Sequence, residues 1–145
     1  MKRIFADSSI LIAGAASKTG ASRAVLTMAE IGLFKILISE QVLEECQRNL
    51  YKKIPLALPI FKQLISQINP EILPNPSQEQ FLRFCKIIEE KDAPILAAAL
   101  LANADRLLSL NTKDFTSRVA EQTGIIMQTP SQFIQDIRSI INHEL

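Results

Sequence analysis

The chain has 145 residues, 48% of them hydrophobic and 21% charged, with a formal net charge of +1. That length and apolar content suit one domain with a sizeable core and exclude a disordered segment. A balance so near neutrality names no partner, so any nucleic-acid contact must come from a local basic patch. One histidine, His143, and two cysteines leave almost no material for a His-based zinc site, a Ser-His-Asp triad or a disulfide framework.

The opening MKRIFADSSILIAGAAS has basic, apolar and small residues in signal-peptide order, but Asp7 and two serines interrupt the apolar run. RIFA, residues 3–6, reads as a short strand ending at Asp7. SSILIAGAA follows as a helix, with Asp7 or Ser8 as N-cap. Lys18, Thr19 and Gly20 break it, and ASRAVLTMAEIG is a second helix with Gly32 as C-cap. FKILIS is a buried strand. EQVLEECQRNLYKK is a helix with Val42, Leu43, Cys46 and Leu50 on one face, stopped by Pro55.

PIFKQLISQI is a further helix ending near Pro70, and EILPNPS a Pro-rich connection holding a short strand and a turn. QEQFLRFCKIIEEK is expected to be one helix, with Phe81, Phe84, Cys85 and Ile88 inward. APILAAALLANA is a buried helix, too short for a bilayer crossing of about 20 residues. RLLSL is a strand, NTKDF a loop, IIMQT a last short strand, and SQFIQDIRSIINHEL a final amphipathic helix from Ser131. Both cysteines fall in helical patterns and read as reduced core residues. Together these features suggest a soluble, cytoplasmic protein in a single domain. Alternating strands and helices argue an α/β sandwich around a largely parallel sheet.

Ligands of such sheets bind beyond the carboxyl ends of the strands. Asp7 follows the first strand, and Asn111 and Asp114 follow RLLSL. Asp92 heads the helix that runs back to RLLSL, and Glu44 and Glu45 open the helix after FKILIS. All of these can converge on one edge. Clustered carboxylates raise one another's pKa and stay ionised together most easily around a cation. An all-oxygen set without His or Cys suits Mg²⁺ or Mn²⁺. The implied chemistry is metal-assisted phosphodiester hydrolysis. Asp92 and Asp114 should then lie roughly 4–7 Å apart across a shared ion. Each acid also has a plainer role: Asp7 and Asp92 as helix caps, Asn111 and Asp114 as an Asx-turn, Asp105 as a purely structural residue before the strand. Among the cations, Lys113 is placed to meet phosphate, while Lys18, Arg23, Lys52, Lys53 and Lys62 read mainly as solvated surface.

IFADSSILI, ISEQVLEECQRNL and KDAPILAAALLANADRLLSLNTKDF, in that order, resemble the motifs of PIN domains, the nucleases that include VapC-type toxins. The resemblance implies a three-layer, Rossmann-like α/β fold with about five mainly parallel strands. It implies a Mg²⁺- or Mn²⁺-dependent endoribonuclease, the toxin of a toxin–antitoxin pair, with RNA as substrate. A small antitoxin protein would be its partner, and the apolar surface of the helices at 21–31 and 56–68 points separately to a second copy of the chain or another protein. Asp7, Glu45, Asp92 and Asp114 match the catalytic acids, with Glu44 as the alternative second acid. Asp7, Asp92 and Asp114 would bind metal, joined by Asn111, where many relatives have Asp. Lys113, Ser8 and Arg23 are the candidates for RNA contact. Two other readings share the scaffold: an inactive interaction protein and another Mg²⁺-dependent phosphohydrolase.

Overall fold

The computed structural model describes residues 1–144, with side chains through residue 140. Leu145, at the end of the expected final helix, and the His143 side chain lie outside the described residues. The strands are β1 (Arg3–Ala6), β2 (Lys35–Ser39), β3 (Glu71–Leu73), β4 (Arg106–Leu108) and β5 (Ile126–Gln128). The helices are α1 (Ser8–Ala16), α2 (Ala21–Glu30), α3 (Glu40–Lys53), α4 (Leu58–Ile68), α5 (Gln78–Phe81), α6 (Ala93–Leu101), α7 (Ser117–Thr123) and α8 (Pro130–Glu144).

The five strands form one sheet of order β3-β2-β1-β4-β5, every pair parallel. The first three strands step outward from β1, and the chain then returns across β2 and β1 to add β4 and β5 on the other side. Right-handed crossovers therefore put the returning helices on the opposite face. α1 to α4 pack on one another and α8 joins them through α2, while α5 packs on α6. The order reverses between β1 and β4, which is where such sheets bind ligands. β1 is the central strand, and Ile4, Phe5 and Ala6 are fully buried. α6 is buried nearly all round, from Ala93 through Ala99, because its alanines let neighbouring elements approach closely.

Local chemistry explains most ends. Ser39 caps α3 by accepting from Val42 N. Thr129 and Gln132 bond reciprocally at the start of α8, and Pro130 occupies its first position, one residue before the expected Ser131. Gly32, at φ +91°, closes α2 with Leu33 N donating to Met28 O.

Three segments depart from expectation. Residues 78–91 are not one helix: Ser77 and Gln80 form a capping box, but α5 lasts only to Phe81 and a tight 3-10 stretch runs from Leu82 to Lys86. The chain must then reverse, through Asp92 N donating to Glu89 O, to start α6 antiparallel to the strands. α7 lies in a stretch expected to hold no element. Thr116 caps it and Gly124, at φ +79°, ends it, but its only buried residue is Val119, too little for an apolar period to show. The strand expected to run to Leu110 ends at Leu108: Ser109 N still donates to Gln128 O, but Leu110 N turns to the Ser9 hydroxyl of α1. Cys46 and Cys85 are free thiols.

Candidate active site

Register builds the site. Ala6 pairs with Leu108, and Asp7 N donates to Leu108 O at 3.1 Å, so Ser109 arrives opposite Asp7. The Asp7 carboxylate is 8% exposed and both its oxygens are held. Oδ1 accepts from Ser9 N at 2.7 Å and from the Ser9 hydroxyl, which in turn accepts from Leu110 N; Oδ2 accepts from the Ser109 hydroxyl. Burial raises the Asp7 carboxyl above its usual range, and the Ser109 and Ser9 donors pull it back part of the way. Asp7 is thus both the N-cap of α1 and a fixed anion at the sheet edge.

Asp92 does not cap α6. Its backbone is already helical and its side chain makes no capping bond, contrary to the plainer expectation for this residue. Instead Oδ2 is buried without a hydrogen-bond partner. The carboxyl lies beside Asp114, and burial followed by this neighbouring carboxylate raises Asp92 to about 7. Asp114 is held below the usual range, first by the Asn111 amide and then by Asp92.

Asn111 turns its whole amide toward Asp114: Nδ2 donates to Oδ2 at 2.9 Å, and Oδ1 accepts from Asp114 N at 3.2 Å. The side chain thus caps the turn three residues on, one residue beyond the expected Asx-turn, and holds Asp114 in place.

The two glutamates of α3 separate. Glu45 is half-buried, accepts from Gln41 Nε2 at 3.0 Å, and lies near enough for its charge to reach Asp7 and Cys46. Glu44 is exposed and faces an open cavity of 580 Å³ beside Arg48, Tyr51 and Lys62. Asp105 accepts from Arg3 N at 2.7 Å at the opposite end of β1, as a structural residue would.

The expected RNA contacts fare unequally. Lys113 is exposed, and its charge reaches Asp114. Ser8 is half-buried with its carbonyl taken by the Cys46 thiol, and it is Ser9 that bonds Asp7. Arg23 donates from Nε to Gly14 O in the last turn of α1, the end away from Asp7. There it satisfies an orphan helix carbonyl. Ser109 went unnoticed in the sequence, since only the β1–β4 register makes it a partner of Asp7.

Among the described residues, no group of three or more His, Cys, Asp or Glu is set tightly enough to enclose a metal. The donor set nonetheless fits one kind of ion. A carboxyl with one buried, partnerless oxygen, set beside a second carboxylate, suits a hard cation that keeps most of its waters, as Mg²⁺ does.

The fold has clear likenesses. A VapBC2 structure from Rickettsia felis, bound to a promoter DNA fragment, matches with TM-score 0.64 at 19% identity, covering 88% of this chain and 98% of that one. DNA-bound VapBC from Salmonella typhimurium matches at 0.64 and 18%, covering 90% and 99%. PAE2754 from Pyrobaculum aerophilum matches at 0.65 and 16%, covering 92% and 88%. No curated protein matches the sequence at a significant level. The family model described as PIN domain matches residues 3–113, which take in β1, the site acids Asp7, Glu45 and Asp92, and all of the sheet but β5. With the motif order and the acid-lined switch point, this shows that the chain belongs to the PIN domain family.

Proposed function

We propose that the chain is a metal-dependent endoribonuclease, a single nuclease domain over residues 1–145 acting as the toxin of a toxin–antitoxin pair. The observation that carries this reading is the Asp92 carboxyl, which lies beside Asp114 and near Asp7 and keeps one buried oxygen without a partner. Such an arrangement costs stability unless a cation is there to use it. Asp7, Asp92 and Asp114 would hold Mg²⁺ or Mn²⁺, which when bound supplies positive charge and Lewis acidity at the scissile phosphate.

The chain's own groups do the rest. Ser9 and Ser109 fix both oxygens of Asp7, and Asn111 fixes Asp114. Glu45, steadied by Gln41, is placed to take the proton of the attacking water. Lys113 meets the incoming phosphate. The likeness to VapBC assemblies supports a small antitoxin as partner and a cytoplasmic setting.

The test is cleavage of labelled RNA with Mg²⁺, with Mn²⁺ and with EDTA, for the wild type and Asp7→Asn. Metal-dependent cleavage by the wild type alone supports the reading. Equal cleavage by Asp7→Asn removes Asp7 from the site. One observation favours a second reading, an inactive interaction scaffold: no three acids are set closely enough to enclose a metal among the described residues. Calorimetry showing no Mg²⁺ or Mn²⁺ binding would favour it.

A further inference from the structure

An open cleft of 590 Å³ begins at Asp114 and runs between residues 85–90 and residues 113–119. Its floor is rigid, because Ile88 and Val119 belong to the hydrophobic core. Its rim carries three exposed cations, Lys86, Lys113 and Arg118, from both walls. None of the three makes an ion pair among the described residues, whereas Arg3 and Arg106 are paired with Glu71 and Asp136. Lys86 and Arg118 are thus free of side-chain ion pairs, and Lys113 acts on Asp114 only through space. The volume is that of a ligand site, roughly 300–1,000 Å³, but the cleft is open and its rim charged. It suits an extended polyanion better than an enclosed small molecule.

Resting on the nuclease reading, we infer that this cleft seats the phosphate backbone of single-stranded RNA on one side of the scissile bond. Lys86 and Arg118 act as substrate-positioning residues, with Lys113 between them and the acids. Two features limit what fits. No aromatic side chain lines the cleft, so bases gain no stacking platform there and recognition runs through the backbone. Glu89 and Glu90 share the wall with Lys86. With Asp114 at its end the cleft sets three cations against three carboxylates, so it holds no surplus for the second backbone that a duplex would bring, and its pull on one strand rests on the rim cations and on neutralisation of Asp114 when a metal is bound. The cleft is also one-sided: the Arg48 and Lys62 cations line a separate cavity with Glu44. A general pull on nucleic acid and a seat in this cleft are thus separable by mutation.

The experiment uses Asp7→Asn protein in EDTA, so that bound RNA stays intact. Binding of a fluorescein-labelled, unstructured RNA is followed by polarisation across a KCl series. The pair Lys86→Ala/Arg118→Ala is compared with Arg48→Ala/Lys62→Ala, which removes the same charge elsewhere. The cleft pair should flatten the slope of log K against log salt by about 1.4, from roughly 0.7 per lost single-strand phosphate contact. It should also weaken binding about tenfold at low salt, and the remote pair should do neither. In active protein the cleft pair should raise KM and leave kcat nearly unchanged. An unchanged slope for the cleft pair, or an equal loss for both pairs, overturns the inference. An active nuclease whose RNA binding ignores Lys86 and Arg118 overturns the cleft while the nuclease reading stands. RNA binding that depends on these residues, in a protein that cleaves nothing, supports the cleft and overturns the nuclease reading.

Discussion

Asp92→Asn should stabilise the metal-free protein at neutral pH, against the usual result of mutating a partly buried polar residue. The carboxyl rises from 3.8 to about 7, through burial and the facing Asp114. A native pKa above the unfolded one means that the native state holds the extra proton between these values. Stability contributed by the neutral acid is complete below about pH 4 and is lost as pH rises toward 7. At about 1.36 kcal/mol per pH unit the ceiling is about 4 kcal/mol. Partial exposure screens the charge, and about 1–2 kcal/mol is the realistic penalty. Asn keeps the shape and carries no charge, so it removes this penalty. In a chain of this size the gain is about 3–6 °C in Tm. The assay is thermal unfolding of both proteins in EDTA from pH 5 to pH 8. Roughly a third of the variant's advantage should already be present at pH 5, and it should grow to near pH 7 and level off by pH 8. Adding Mg²⁺ should raise the wild-type Tm and move the variant little, because the ion offsets a charge that only the wild type has. A Tm difference that does not change with pH, or a variant less stable than wild type at pH 8, refutes the argument.

Glu45→Gln should cut RNA cleavage by about 10²-fold or more, while Glu44→Gln leaves it unchanged, since only Glu45 faces Asp7; equal rates for the two variants would place neither in the site. Ser109→Ala removes a donor to the Asp7 carboxylate, so the acid limb of the pH–rate profile should move to higher pH; an unmoved limb would make Ser109 a packing residue. Asn111→Asp should tighten Mn²⁺ binding by calorimetry yet lower metal-free stability, because it replaces an amide donor to Asp114 with a second carboxylate; unchanged affinity would keep Asn111 outside the ion's reach. The exposed Leu56, at 89%, with Tyr51 and Ile60 nearby in sequence, offers an apolar surface for a second copy. Light scattering of a clean monomer at high concentration would reject that dimer.

The sequence by itself determined the elements that local chemistry can write. RIFA and FKILIS are strands because short apolar runs, Ile4 to Ala6 and Ile36 to Ile38, form their centres; Asp7 follows the first and Ser39 ends the second, and each has an oxygen that caps the next helix. The alternation of types implied the parallel sheet, and acids after strands implied where a site would lie. Local signals were too weak for α7, with one buried residue, and misleading at 82–86, where apolar spacing continues though the chain must tighten and turn. Four matters were decided only by the tertiary structure, because each depends on pairing between distant residues or on side-chain direction. The β1–β4 register set Ser109 against Asp7. A turn of about 100° between successive helical residues brought Glu45 toward Asp7 and sent Glu44 elsewhere. The Asn111 amide was turned onto both the carboxylate and the backbone N–H of Asp114. And Asp92, which the sequence would equally allow as a cap, was left with a buried oxygen and no partner, because the returning α6–β4 unit carries Asp114 back to face it.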